Sequence, residues 1–112
     1  MERVYFKIAN EFTRTPGPRY IYEGPHSAEE FLKNIFRERF IDAVKNNQII
    51  QVDLDDTAGY ATSFLEGTFG ELAREYSPKL VMKHIEILSP KKPWYKEEVI
   101  EYINEANEGV IA

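Results

Sequence analysis

The densest cluster of reactive side chains is Asp53-Leu54-Asp55-Asp56-Thr57, which closes the hydrophobic run Ile49 to Leu54. Carboxylates two apart on an extended chain lie on the same side. Such a pair is a candidate for nucleophilic and general acid/base work. No aspartate follows Asp56, and the adjacent pair Glu97-Glu98 falls in a helical segment rather than at a strand end.

The D-x-D-x-T spacing is similar to the first motif of haloacid-dehalogenase-type phosphatases, which makes a small magnesium-dependent phosphatase the alternative reading. The resemblance implies Asp53 as the nucleophile on phosphorus and Asp55 as the acid/base for the leaving group, and those enzymes also need a downstream lysine on the phosphate and a further acidic pair for magnesium. The leading one is that acidic residues carry a buried strand into a solvated loop, in a protein that is not an enzyme. Other chemistry finds less support. His26 and His84 are the only histidines and neither has a partner at ligand spacing. Ser63 lacks a His and Asp constellation, and Gly59, Gly67 and Gly70 lack the G-K-[ST] ending of a phosphate loop. No cofactor and no metal site is expected.

The 112 residues suit one domain with one core. A net charge of −5 with no basic stripe argues against nucleic acid as a ligand. The absence of cysteine excludes disulfides and thiolate metal sites. No apolar run approaches a membrane span, and Met1-Glu2-Arg3 does not open a signal peptide, so a cytoplasmic protein without membrane contact is expected. The aromatic residues recur at strand and helix periods and read as core rather than as a base-stacking platform.

The elements that position the acidic cluster follow from periodicity and capping. Val4, Phe6 and Ile8 alternate in a first strand. Thr15-Pro16-Gly17-Pro18 breaks it, and Arg19 to Glu23 returns as the second arm of a β-hairpin over 3–23. The capping box Ser27-Ala28-Glu29-Glu30 opens a helix over 27–46. A central strand over 48–54 follows, and a second capping box, Ser63 to Glu66, opens a helix over 63–76 that Ser77-Pro78 ends. Alternation over 80–88 reads as a strand. The last helix, over 93–108, begins near Pro93 and is stopped by Gly109. The expected fold is α/β: a mixed β-sheet of about four strands with about three helices mainly on one face.

Read as a unit, I-I-Q-V-D-L-D-D-T-A-G-Y-A-T-S-F-L-E-G-T-F-G-E-L, with G-P-R-Y and E-G-P-H-S-A-E-E-F before it, resembles STAS-like domains of uncharacterised bacterial proteins. These are related to the STAS domains of anti-sigma-factor antagonists. The resemblance implies a regulatory domain that binds a partner protein, a kinase-like ATPase or anti-sigma factor. In the antagonists a residue at the start of this helix is phosphorylated, which releases the partner. That role falls on Thr62, with Ser63 beside it, and position 61 is Ala61 where antagonists carry aspartate. Asp55, Asp56, Tyr60, Glu66, Gly67 and Gly70 are the candidate partner-binding residues. The two glycines lie off the apolar stripe of Leu65, Phe69, Leu72 and Tyr76, at a cost of roughly 0.5–1 kcal/mol each relative to alanine. A smooth patch for a partner, or tight contact with a neighbouring loop of the same domain, would each account for them. The sequence leaves the oligomeric state open; exposed aromatics of the hairpin segment could serve a scaffold or an oligomer.

Overall fold

A computed structural model describes the backbone of residues 1–111 and the side chains as far as Ala106. Three strands, β1 (Glu2–Lys7), β2 (Gln48–Asp53) and β3 (Ile85–Leu88), pair side by side in chain order. Both pairings are parallel, with Lys7 opposite Asp53 and Asp53 opposite Leu88 at the carboxyl ends. Consecutive parallel strands joined by right-handed crossovers place both connections on one face of the sheet. Phe6, Ile50, Val52, Ile85 and Ile87 are buried beneath them. The alternate residues Arg3, Tyr5, Gln51 and Glu86 stay outside the core on the opposite, polar face. There Glu86 accepts from Gln51 at 2.8 Å and pairs with Arg3 at 3.5 Å.

The first crossover carries helix α2, built from Ala28–Phe31, a π-helical turn Leu32–Phe36, and Arg37–Lys45. Ser27 caps it by accepting from the Glu30 N–H at 3.0 Å. Glu30 reaches back to the N–H of His26 at 3.3 Å, one residue before the cap. Helix α3 has the same construction: Thr62–Leu65, a π-helical turn Glu66–Gly70, and Glu71–Tyr76. A reason for the π turns lies in paired phenylalanines five apart. Phe31 and Phe36, and likewise Phe64 and Phe69, are completely buried. In a regular α-helix residues five apart point about 140° away from each other. The wider π turn returns both to one face, where Phe31 and Phe36 stack at 5.1 Å and 21°. Phe6 of β1 meets both rings, at 6.0 and 5.5 Å, and Phe36 meets Phe69 edge-on at 5.7 Å.

One expected strand is absent and another is shortened. The second hairpin arm, Arg19 to Glu23, is a loop ending in a 3-10 turn over Ile21–Glu23, and β1 runs instead into one helical turn, α1 (Ile8–Glu11). Pro16 and Pro18 carry no N–H to pair in a ladder. The remaining groups are satisfied elsewhere: Gly17 N–H donates to His26 at 2.9 Å, Tyr20 N–H to the Glu23 carboxylate at 3.0 Å, and Ile21 N–H to Glu29 at 2.8 Å. A Cβ at position 17 would overlap the Pro25 carbonyl, so the turn admits only glycine.

The expected strand over 80–88 is strand only from Ile85. Ser77 caps a further helix, α4 (Pro78–His84), by accepting from Leu80 N–H at 3.2 Å, with Pro78 in its first turn. Buried Val81 and His84 are three apart, a helical spacing that the apolar run beyond it masks. The sheet therefore has three parallel strands rather than about four in mixed order. The last helix, α5 (Trp94–Ile111), packs on α3 and continues past Gly109, which lowers helix propensity without forbidding the conformation.

Phe36→Ala should lower unfolding stability by about 3–5 kcal/mol, because it opens a cavity where sheet, α2 and α3 meet. A urea titration reads this as a lower midpoint with an unchanged slope.

Candidate functional site

The parallel order brings the carboxyl ends of all three strands to one edge. Asp56 ties that edge together. Its carboxylate takes the ammonium of Lys7, the last residue of β1, and of Lys91, which follows β3, each at 2.5 Å. Asp56 itself has a positive φ of 68° in the turn after β2. The Lys7 and Lys91 hydrogen bonds hold its carboxyl down at about 2. Both lysines are raised in turn, chiefly by the same carboxylate.

The other two aspartates of the D-x-D-x-T segment are also engaged. Asp53 accepts from the Tyr5 hydroxyl and, at 2.9 Å, from the N–H of Asp55. The bond to Asp53 pushes the Tyr5 hydroxyl up to about 12. Asp55 is buried and accepts from Lys91 N–H at 3.3 Å. The carboxylates thus face separate donors. Among the described residues no cluster of three or more His, Cys, Asp or Glu side chains is arranged to hold a metal ion.

From Asp56 the loop is drawn into the domain. Ala58 N–H donates to Arg14 at 2.8 Å, and the Tyr60 hydroxyl donates to the Leu54 carbonyl at 2.9 Å. Tyr60 is buried, its N–H donates to the Tyr95 hydroxyl at 3.2 Å, and its ring meets Tyr95 edge-on and Phe64 at a tilt. Burial pushes the Tyr60 hydroxyl up. The chain then surfaces. Ala61 and Thr62 are exposed and Ser63 half-buried.

The cap lies two residues earlier than the Ser63–Glu66 pattern suggests. Ala61 occupies the cap position and offers no side-chain cap, Thr62 is the first helical residue, and Ser63 the second. With Ser63 already inside the helix the expected capping box does not form, and Glu66 is drawn elsewhere. It lies between Arg19, at 2.5 Å, and Arg74, at 2.7 Å. Burial pushes the Glu66 carboxyl up, but the hydrogen bonds from Arg74 and Arg19 outweigh it and the net direction is down. Burial raises the hydroxyl of Tyr102 of α5, Thr62 opposes the rise, and Glu98, Glu101 and Glu105 add to it.

The two glycines sit inside the fold. A Cβ on Gly67 would come within 3.0 Å of the Arg19 side chain and 3.1 Å of Ala28, so close packing of the 14–26 loop and α2 accounts for it. Gly70 is buried under the folded-back Glu66 carboxylate. Of the candidate partner-binding residues, Asp56 is therefore exposed and Glu66 partly so, while Asp55, Tyr60, Gly67 and Gly70 are buried. The two histidines have local roles. His84 is buried with its ring on the Gln48 carbonyl at 2.7 Å, and the His26 ring lies beside Thr13 and Thr15. Sequence reasoning missed Lys7 and Lys91, which no local pattern links to Asp56.

Because the Asp56 carboxyl lies lower in the folded chain than its ordinary value near 3.8, its stabilising contribution is complete above that value. It fades as pH falls through about 2. Asp56→Asn should therefore flatten the loss of stability between about pH 4 and pH 2, followed by urea midpoints at each pH.

The comparisons with known proteins agree with this architecture. No curated protein and no solved structure matches the chain. Among the described residues no helix is long and apolar enough to cross a membrane. The model of a family described as a STAS-like domain of unknown function matches residues 27–93, from the cap of α2 to the start of α5. With more than half of its length matched, the chain belongs to the STAS-like domain family.

Proposed function

We propose that this chain is a non-enzymatic regulatory domain that binds a partner protein through the loop after β2 and the first turn of α3. The partner class suggested by the STAS resemblance is a kinase-like ATPase or an anti-sigma factor. One observation carries the reading. The loop from Leu54 to Tyr60 is anchored by buried contacts, yet it delivers Ala61 and Thr62 to the surface at a helix start without a side-chain cap. A rigid presentation of a small exposed hydroxyl segment suits docking, because little ordering entropy is lost on binding. The acidic cluster supports the same reading, since Asp53, Asp55 and Asp56 each already hold a donor from the domain.

The contact surface is narrower than the sequence pattern. Asp56, Ala61, Thr62 and the exposed part of Ser63 meet the partner. Asp55, Tyr60, Gly67 and Gly70 shape the loop and helix behind them.

Thr62 is the switch in this proposal. A phosphate there adds nearly two negative charges at the positive end of a helix dipole, which accommodates it. The same charge is added beside α5, where Glu98, Glu101 and Glu105 surround Tyr102. The modified surface differs from the unmodified one in charge and in how α3 meets α5, and the partner is released.

Thr62→Glu should keep the fold, since an acidic residue in a first helical turn is favourable. It should cut recovery of the partner by about tenfold or more when tagged protein is purified from its native host, the scale of one lost charge-sensitive contact. Thr62→Ala should retain binding, and mass spectrometry of the wild type should place phosphate on Thr62 or Ser63. An identical set of recovered proteins for wild type and Thr62→Glu would remove Thr62 from the interface.

A further inference from the structure

On the far side of α3 from the uncapped start, a cleft of about 490 Å³ lies between α2 and α3. That is within the range of small-ligand sites. Four cationic side chains line it: Arg19 from the loop, Lys33 and Arg37 from α2, and Arg74 from α3. Two of its other lining residues, Leu32 and Gly67, belong to the π-helical turns. Such turns recur at functional sites.

The carboxylates of the cleft are committed. Glu29 accepts from Ile21 N–H at 2.8 Å and Glu71 takes Arg74 at 3.0 Å. Two of the cations retain capacity, while Arg19 and Arg74 are taken up by Glu66 and Glu71. Lys33 makes no ion pair among the described residues. Arg37 holds Glu75 through Nε and Nη2, each at 2.8 Å, which leaves Nη1 free to donate. Glu66, gripped by Arg19 and Arg74 together, shows that this cation set closes around an oxyanion. At the rim Tyr20 is about half exposed and stacks on Tyr22 at 5.5 Å and 10°, a rigid flat surface beside the charges.

From this juxtaposition we infer that the α2–α3 cleft binds a small phosphorylated molecule carrying a planar ring, its phosphate on Lys33 and Arg37 and its ring on Tyr20. A phosphomonoester supplies acceptor oxygens for both cations at once. A ring on an aromatic face adds stacking without sequence-like selectivity. The site is independent of the partner surface, and the two stand or fall separately.

Titration calorimetry of the full chain with phenyl phosphate at low ionic strength tests this, with inorganic phosphate as the second ligand. Phenyl phosphate should bind, and more tightly than inorganic phosphate. Lys33→Glu should weaken both by about tenfold or more, the scale of a lost charged hydrogen bond. Lys79→Glu, the same charge change on α4, should weaken neither comparably. Tyr20→Ala should weaken phenyl phosphate alone, and Thr62→Glu should leave both unchanged. Absence of phenyl phosphate binding, or equal affinity in Lys33→Glu, would overturn the site. Equal affinity of the wild type for the two ligands would overturn the role of Tyr20.

Discussion

Five phenylalanines hold this domain in register. Phe6 comes from the sheet, Phe31 and Phe36 from α2, and Phe64 and Phe69 from α3, and all five are completely buried. A three-stranded sheet with one solvated face has a single core to form, so the helices must reach it from one side. Residues five apart cannot both do so from a regular α-helix. The π turns in α2 and α3 resolve that conflict, and they also set the rotation at which each helix starts. Phe64 is two residues beyond Thr62, so the ring that locks α3 into the core also decides how Thr62 meets solvent.

The same constraint separates two surfaces. Toward the carboxyl edge of the sheet, Asp56 bridges Lys7 and Lys91 while Tyr60 draws the loop inward. The result is a fixed, exposed start to α3. On the other flank, the π turns face a cleft whose arginines bind Glu66 and Glu75. Glu66, held by Arg19 and Arg74, belongs to the cleft, and with Ser63 inside the helix no side chain caps the start of α3. An uncapped helix start leaves backbone N–H groups for another molecule or a phosphate to use.

Much of this was legible in the sequence, and the exceptions have physical causes. Ser27 and the periodic apolar residues behind it announced α2, and the short apolar run before Asp53 announced β2, because cap chemistry and burial are local. The Arg19 to Glu23 segment carries strand-forming residues, but its N–H groups find carboxylates at Glu23 and Glu29 instead of a neighbouring strand. From Pro78 to Leu88 a helix and a strand run together with no glycine or proline at the junction. The five-residue spacing of Phe31–Phe36 and Phe64–Phe69 was a signal for π turns that a 3.6-residue template passes over. The Asp56 bridges join residues 49 and 35 positions apart, so only the folded chain brings them together. The STAS-like resemblance singled out Thr62, whereas its exposure and the burial of Gly67 and Gly70 required the packed structure.

In the proposed reading a partner touches the start of α3, and site-specific photo-cross-linking in the native host tests that directly. A photoreactive residue at position 62 should yield a covalent adduct with a partner protein, while one at position 5, on the polar face of the sheet, should not. An adduct from position 5 with none from position 62 would contradict the central claim and move the interface to the open sheet.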